Sequence, residues 1–446
     1  MILNRKILFL QFLSNILIIC LVLLTIRKIS IDINIIYFCC FILILTFLDS
    51  FFLYGIKDSS IKSFIFFNIS RYLVFFIGYI IFYFAYYYPN NQIISVIAPD
   101  EYFDSGMYVY VAKNLVNGLS VADTDFALYY GIYMSPNWAL VVYIYTGTFL
   151  IFGIEEEILP MVNFFIYSYL FFFFVYILKM TNINKYSIYI ISIFLLLLPG
   201  PLYWTASLSK EYLYYIFLSG VFYFLLSIKK YISKRQIILS LSASIFSRFN
   251  IIVIVFFSKI FLLFKTDSKI IFIKNLIKIY VFIVIIFIIG ILFLNIIFGI
   301  NFFQSSMYIP LGFDSKELWK YKMDYVPMNI LELFYKLPIK FLLTIFSEVN
   351  IIHLLSFPYG NTNSYAIVFS TLEGFIRCIF IVLVLINFYM KKNINDIAYK
   401  FMGLTFIFWL MFSISIGFFQ SRYLIFGDYL LIFSYIFLKS NRRICK

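Results

Sequence analysis

An all-α polytopic membrane protein is the fold class that the sequence predicts, and three observations predict it. Of the 446 residues, 64% are hydrophobic, whereas about half of a soluble globular chain is apolar. Runs of about twenty apolar residues recur along the chain, and each is long enough to cross the hydrocarbon core of a bilayer. The sequence lacks the repeated segments of about ten residues with alternating hydrophobicity that a membrane β-barrel needs.

The basic residues agree with this fold class. The formal net charge is +14, but Lys and Arg stand in short clusters between the apolar runs. This arrangement is typical of cytoplasmic loops under the positive-inside rule, and it argues against a continuous groove for nucleic acid. The five cysteines show no metal-ligand spacing. We therefore expect membrane lipids as partners, no nucleic acid and no disulfide.

Each predicted span is an apolar run bounded by polar or basic residues. We predict a single transmembrane domain, 1–446, with about twelve transmembrane helices and both termini in the cytoplasm. The predicted spans are 7–26, 33–55, 64–88, 160–178, 186–203, 211–228, 236–249, 250–264, 279–299, 366–390, 398–418 and 423–440.

Two basic clusters fix the expected orientation. Lys57, Lys62 and Arg71 mark one cytoplasmic loop, and the cluster at 229–235 marks another. If the apolar stretch 137–153 crossed the membrane, the second cluster would face outward. We therefore expect 137–153 to be an amphipathic helix that lies along the outer surface.

The same argument places the apolar stretch 341–357 on the outer surface. Two large external loops with surface helices follow from it, at 89–159 and 300–365. The segments 236–249 and 250–264 are short, so they are either two spans or one bent hairpin.

The first external loop is rich in carboxylates. Asp100, Glu101 and Asp104 stand close together, and Asp104 lies one helical turn after Asp100 on the same face. Neighbouring carboxylates share a proton or a cation and suit a general base. Because Asp100 follows Pro99, it also fits a helix N-cap, with the helix ending at Gly118. A solvated acidic loop is the alternative interpretation.

The motifs of this loop resemble those of a known family. Pro99-Asp100-Glu101-Tyr102 is followed by Tyr110-Val-Ala-Lys-Asn-Leu115, by Gly118, and by Ser135-Pro136-Asn137-Trp138 at the start of an apolar stretch. This order is similar to the first external loop of GT-C glycosyltransferases, which include the protein O-mannosyltransferases and the aminoarabinose transferase that modifies lipid A. The resemblance covers about 89–264, and the remainder of the chain only in architecture.

The resemblance implies an enzyme that takes a sugar from a polyprenyl-phosphate carrier at the outer face of the cytoplasmic membrane. The implied transfer is inverting, with a lipid, glycan or protein acceptor, and serves cell-envelope polysaccharide or glycolipid synthesis. It requires no cofactor, and a divalent cation (Mg²⁺ or Mn²⁺) between Asp100 and Glu101 is left open. The sequence has no Gly-rich loop after a strand, which favours a lipid-linked donor over a nucleotide sugar.

The resemblance also implies roles for particular residues. Asp100 would be the catalytic base, Glu101 its acidic neighbour, and Glu211 the acid that starts a later helix facing the loop. An arginine suits the lipid phosphate because its planar fork donates two parallel hydrogen bonds. The residues expected to bind the substrate are Asp104, Lys113, Lys210, Arg248 and Arg422.

Several of these residues have a simpler interpretation. Glu211 follows a potential N-cap, Ser209, and an acid in the first turn of a helix is favoured by the macrodipole. Lys113, Arg248 and Arg422 also fit interfacial side chains whose charges reach the headgroups.

Two other functions remain open. A polysaccharide polymerase also acts on polyprenyl-linked sugars, although Lys rather than Arg predominates in the external loops here. A transporter or flippase of lipid-linked oligosaccharide is expected to have charged or Gly/Pro-broken helices at the membrane midplane. The predicted spans look almost free of charge, which argues against transport. His353, the only histidine, completes neither a catalytic triad nor a zinc site.

Overall fold

The computed structural model is helical, and no strand occurs in the part of the chain that it describes. The described residues are 5–25, 34–55, 61–84, 104–119, 136–208, 211–226, 238, 242, 250–298, 336–339, 341–342, 345–346, 362–415 and 424–440.

Fifteen α-helices of eight residues or more account for most of these residues, and one turn of 3₁₀ helix, Glu156–Ile158, precedes the sixth. The helices are α1 (Arg5–Thr25), α2 (Ile35–Gly55), α3 (Ile61–Phe82), α4 (Asp104–Val116), α5 (Pro136–Phe152), α6 (Leu159–Ser168), α7 (Leu170–Leu178), α8 (Lys185–Leu196), α9 (Pro199–Ala206), α10 (Glu211–Leu226), α11 (Asn250–Leu263), α12 (Lys269–Phe298), α13 (Thr362–Met390), α14 (Asp396–Ser415) and α15 (Ile425–Lys439).

Within the described ranges, seven helical stretches are long and apolar enough to cross a membrane, and the bent pair α8–α9 makes an eighth. An apolar helix suits lipid because every backbone N–H is bonded within the segment. The chain is thus a multi-pass helical membrane protein, as predicted, whereas the count of twelve spans stays a prediction. The seven stretches are Lys6–Leu24, Ile35–Leu53, Ile61–Phe82, Glu156–Leu178, Lys269–Phe293, Val368–Met390 and Asp396–Ser413.

The helices fall into two compact units. Unit 1 contains α1 to α10, and unit 2 contains α11 to α15, with α13 belonging to it from Ile367 onward. Each unit has its own buried core.

The core of unit 1 is the span formed by α6 and α7, which packs against α3, α9 and α10. Its side chains are almost all buried, with Phe164, Phe171 and Phe174 fully so. At Ser168 the span is interrupted, because the hydroxyl donates to the Phe165 carbonyl at 2.7 Å and accepts a bond from Arg71 at 3.0 Å. A side chain inserted into the backbone ladder is an established cause of such a break.

A bend of 53° separates α8 from α9. Pro199 and Pro201 open α9, and proline both lacks an N–H and clashes with the preceding turn. The predicted span 186–203 is therefore a broken helix pair rather than one straight helix.

In unit 2, α14 packs against α11, α12 and α15. Two glycines allow this close approach. A Cβ at Gly403 would lie 1.9 Å from the ring of Phe261 on α11, and one at Gly427 would lie 2.3 Å from the indole nitrogen of Trp409.

The position of Arg71 corrects one step of the charge argument. It lies in the middle of α3 and is fully buried, not in a loop. An apolar run cannot show whether an arginine inside it reaches the interface or meets a partner from another helix, and here the partner is Asp49 on α2. The cytoplasmic assignment of this end of α3 therefore depends on Lys57 and Lys62 alone.

Candidate functional site

The predicted surface helices α4 and α5 pack along each other in unit 1. Tyr108, Val111 and Ala112 of α4 are buried, as are Val141 and Tyr145 of α5. Apolar side chains on one stripe of each helix explain the pairing, since each helix covers the stripe of the other. The pair packs the helix that carries the motif around Lys113 against the apolar stretch 137–153.

The end of α4 is the end that the sequence predicts. Gly118 has φ of +83°, a left-handed conformation that glycine adopts without a Cβ penalty. The N–H of Gly118 donates to the Leu115 carbonyl at 3.2 Å, and that of Leu119 to Asn114 at 3.0 Å. These bonds satisfy the last carbonyls of the helix, so the predicted stop at Gly118 is confirmed.

Two contacts fix the two helices to one end of the unit 1 spans. The Lys113 ammonium forms an ion pair with Glu156 in the 3₁₀ turn. The backbone N–H of Asn34, just before α2, donates to the Ile151 carbonyl of α5 at 2.9 Å. The end of the unit 1 spans at which these contacts lie is called the α4–α5 end of unit 1.

The α4–α5 end also includes the last turns of α3 and the start of α6. The hydroxyl of Tyr79 donates to the Glu157 carbonyl at 3.1 Å, and Glu157 itself is buried. Lys62, at the opposite end of α3, contacts Tyr186 at the start of α8. The acidic turn 155–157 and Lys62 therefore lie at opposite ends of α3.

A buried hydrogen-bond chain joins α5, α6 and the end of α9. The Asn163 amide donates to the Tyr145 hydroxyl at 3.0 Å and to the Thr205 carbonyl, at the end of α9, at 3.2 Å. Tyr212, in the first turn of α10, is fully buried. The helix α10, which begins at Glu211, packs against α6 and α9, whereas α5 packs against α6 and along the helix that carries Lys113.

The structure describes some of the candidate residues in full, two only by their backbone, and the others not at all. Lys113 is described in full, and its partner is Glu156. Asp104 and Glu211 are the first residues of α4 and α10, and their side chains lie outside the description. The remaining candidates lie outside the described residues altogether: Asp100, Glu101, Lys210, Arg248 and Arg422. His353 and most of the loop 300–365 lie outside as well.

Among the described side chains, no group of three or more His, Cys, Asp or Glu residues is arranged to hold a metal ion. The carboxylates considered for a divalent cation, Asp100 and Glu101, are not part of that set.

Sequence reasoning missed a buried ion pair in unit 1. Asp49 accepts from the two terminal nitrogens of Arg71 at 2.6 and 2.8 Å, and both side chains have 0% exposure. Gln11 and Asn15 of α1 donate to the same carboxylate at 2.7 and 2.9 Å. Ser168 accepts from the Nε of Arg71. Polar groups of α1, α2, α3 and α6 thus form hydrogen bonds with one another where their side chains have no access to solvent, as buried polar groups must.

A second missed ion pair lies in unit 2. Arg377 of α13 donates from Nε and Nη2 to the two carboxylate oxygens of Asp428 on α15, at 2.7 and 2.8 Å. Its Nη1 donates to the Ile345 carbonyl at 3.1 Å. Glu373, one turn before Arg377 on α13, is buried as well. The prediction that the spans are almost free of charge is therefore wrong. Each of the two ion pairs joins charged residues of two different spans, so each charge is compensated by a residue of another helix.

These pairs leave a signal in the sequence. An arginine in the middle of an apolar run is expensive unless an acid in another run compensates it. Asp49 and Arg71 each stand inside such a run, as do Arg377 and Asp428.

The fold and these pairs define a class: a multi-pass α-helical membrane protein with charged residues buried between its helices. Comparison of the chain with protein-family models, with curated proteins and with solved structures gives no match.

Proposed function

We propose that this chain is a membrane glycosyltransferase of the GT-C type, which moves a sugar from a polyprenyl-phosphate donor to an acceptor at the outer face of the cytoplasmic membrane. The observation that supports the proposal is the α4–α5 end of unit 1. The two helices that carry the family-like motifs pack together there, and the hydrogen bonds of Asn163 join α5 to the end of α9, which precedes Glu211 in the chain.

The proposed reaction is an inverting displacement. The acceptor oxygen attacks the anomeric carbon as its proton passes to Asp100, and the bond from that carbon to the phosphate oxygen breaks. The polyprenyl phosphate leaves with the electron pair. Cationic groups compensate its charge, an effect that is strongest where water is excluded. In this proposal Arg248, Lys113 and Lys210 supply those groups.

Glu101, Asp104 and Glu211 complete the proposed site. Glu101 and Asp104 hold the acceptor beside Asp100, and Glu211 faces them from the start of α10. The Tyr145–Asn163–Thr205 hydrogen bonds supply rigid support, because a site held by packed helices keeps its geometry better than a free loop.

Removal of the proposed base tests the function. We expect Asp100→Asn to lower transfer from a polyprenyl-phosphate sugar by roughly 100-fold or more, since a general base contributes about 10²–10⁴-fold. Release of polyprenyl phosphate by purified protein in lipid is the measurement. Asp267→Asn, in an exposed turn of unit 2, is the matched control and should retain full activity. A folded Asp100→Asn protein with normal turnover would remove Asp100 as base.

The Lys113–Glu156 pair allows a second test. If Lys113 compensates the leaving phosphate, Lys113→Met should lower kcat by roughly 100-fold, the usual cost of one stabilising donor. The charge-swapped double variant, Lys113→Glu with Glu156→Lys, restores an ion pair but moves the cation to the 3₁₀ turn. We expect it to fold normally and to stay inactive. Recovered activity in the swap would show that Lys113 serves only the ion pair.

A transporter of lipid-linked oligosaccharide is the second candidate function, and the two buried ion pairs favour it. Ionisable residues inside a membrane mark transport pathways in many proteins. The two functions differ in their products: a transferase releases polyprenyl phosphate, whereas a transporter moves the intact lipid-linked sugar between leaflets. Proteoliposomes loaded with a labelled polyprenyl-phosphate sugar distinguish these outcomes in one preparation.

A further inference from the structure

The helix α12 of unit 2 is longer than the hydrocarbon core of a bilayer is thick. Its 30 residues correspond to about 45 Å of helix, whereas the core is about 30 Å thick. The part 279–298 has no charged residue and is long enough to cross the core alone. A lysine at the centre of the core is costly, so Lys278 marks its edge. The first turns of α12, 269–278, therefore lie at the level of the lipid headgroups.

One exposed face of these first turns combines isoleucine with lysine. Ile270, Ile273, Lys274, Ile277 and Lys278 follow the spacing i, i+3, i+4, i+7 and i+8, which places them on one face of a helix. The three isoleucines are 67%, 47% and 58% exposed, and both lysines are exposed as well. This face is the Ile–Lys stripe of α12.

The opposite face of the same turns packs against other helices of unit 2. Phe272 is buried, and its ring lies 5.9 Å from that of Phe388 on α13 and 5.0 Å from that of Tyr399 on α14. The Asn275 amide donates to the carbonyl of Lys265 at 2.8 Å. These contacts fix the rotation of α12 about its axis, so the Ile–Lys stripe points away from α13 and α14.

Two hydrogen bonds join the start of α12 to the neighbouring helix ends. The Lys269 ammonium donates to the carbonyl of Tyr389, in the last turn of α13, at 2.8 Å. The hydroxyl of Thr266, just before α12, donates to the carboxylate of Asp396, the first residue of α14, at 2.6 Å. The turn before α12 and the turn between α13 and α14 therefore meet at one end of unit 2.

Basic residues predominate at this end. The segments 265–278 and 391–400 contain seven lysines and two acids, and one of these acids pairs with a lysine of α14. Apart from the buried Glu373 and Asp428, the remaining acids of unit 2 stand in 314–348, in the chain that follows the opposite end of α12. The attraction of such a basic cluster extends over about 8 Å at physiological salt, so it acts on the adjacent headgroups.

The Ile–Lys stripe needs surroundings that are apolar and anionic at the same place. Water solvates the lysines but leaves the isoleucines uncovered, whereas hydrocarbon covers the isoleucines but does not solvate the ammonium groups. The headgroup boundary of an anionic bilayer supplies both, because acyl chains and phosphates meet there. A free phosphate ion would satisfy the lysines alone.

We propose that the Ile–Lys stripe of α12 is a binding site for an anionic phospholipid of the membrane. The acyl chains cover Ile273 and Ile277. The phosphate binds the ammonium groups of Lys274 and Lys278, which stand one helical turn apart, and lysine binds phosphate as a point charge. The site lies in unit 2, so it goes beyond the sugar transfer proposed for unit 1 and does not depend on it.

Lipid retention by the purified whole protein tests the site. The protein is extracted with mild detergent from nanodiscs that contain phosphatidylglycerol and phosphatidylcholine in equal amounts, and native mass spectrometry identifies the lipids that stay bound. We expect preferential retention of phosphatidylglycerol. Lys274→Gln with Lys278→Gln should lower its affinity by roughly 20-fold, since each basic residue near an anionic surface contributes about fivefold.

Two matched double variants make the result specific. Lys62→Gln with Lys185→Gln removes the same charge from exposed positions of unit 1 and should leave the affinity for phosphatidylglycerol unchanged. Lys274→Arg with Lys278→Arg keeps the charge of the stripe and should also bind normally. An equal loss of affinity in the unit 1 variant would attribute the effect to net charge and would overturn the proposal.

Two results with the wild-type protein would contradict the proposal without any variant. Equal retention of the two lipids would show that the site does not select an anionic headgroup. Release of phosphatidylglycerol by millimolar inorganic phosphate would show that the lysines take a free anion rather than a lipid. The wild-type protein therefore remains a test even if a variant does not fold.

Discussion

At the scale of residues, the ion pair between Asp49 and Arg71 makes the sharpest prediction about stability. Replacing Arg71 by Met leaves the Asp49 carboxylate buried and uncompensated, which costs about 3–5 kcal/mol for buried pairs. We therefore expect a markedly lower thermal midpoint for Arg71→Met in lipid nanodiscs. Because Ser168 also loses its donor, the break between α6 and α7 should become less well ordered.

Two further variants make this test specific. The double variant Asp49→Asn with Arg71→Met removes both charges, so it should be less destabilised than Arg71→Met alone. Lys400→Ala breaks a partly exposed pair with Asp396, 2.5 Å apart, and should cost roughly 0–1 kcal/mol. If Arg71→Met were as mild as Lys400→Ala, the buried network would not hold α1, α2, α3 and α6 together.

At the scale of elements, the contact between α3 and α6 depends on a glycine. A Cβ at Gly78 would lie 2.4 Å from the ring of Phe164, and Phe164 is fully buried. We expect Gly78→Ala to destabilise the protein by about 1–3 kcal/mol, the usual cost of overpacking a core. Thermal unfolding followed by tyrosine and tryptophan fluorescence measures the change.

Gly290 provides the matched control for that substitution. It lies in the spanning helix α12, and nothing stands within 4 Å of its potential Cβ. Gly290→Ala should be neutral or slightly stabilising, since alanine favours a helix over glycine. An equal loss for both variants would attribute the effect to glycine itself rather than to contact with Phe164.

At the scale of the whole molecule, the predicted orientation can be tested by labelling single cysteines. Lys62 and Glu155 lie at opposite ends of α3, so the two positions should face opposite sides of the membrane. In a background without native cysteines, we expect an impermeant thiol reagent to label Glu155→Cys from outside and Lys62→Cys only after permeabilisation. Labelling of Lys62→Cys in intact cells would invert the predicted topology and remove the external site with it.

The sequence predicts the parts of the fold that depend on local chemistry. The multi-pass class follows from apolar runs. The stop of α4 follows from Gly118, because glycine has no Cβ and takes a positive φ without strain. The bend before Pro199 was present in the sequence as Pro199-Gly200-Pro201, but the apolar run around it favoured one span. The number of spans, the catalytic role of Asp100 and the phosphate-binding role of Arg248 stay predictions.

What the sequence could not predict is set by contacts between distant residues. Arg71 resembles a loop cation until Asp49 of the preceding helix is placed beside it. Lys113 resembles a free cation until Glu156, 43 positions later, is seen to pair with it. Such partners become visible only once the helices are packed, because the pattern of one helix has no information about the next.

The order in which these partners leave the ribosome differs between the two units. Asp49 precedes Arg71 by 22 positions, so α3 enters the bilayer when its acid is already there. Arg377 precedes Asp428 by 51 positions, so α13 is synthesised before the acid that pairs with its arginine. Glu373 stands one turn away on the same helix and can compensate the arginine during that delay. The extra acid, one helical turn from Arg377, thus gives the nascent chain a counter-ion until α15 is synthesised.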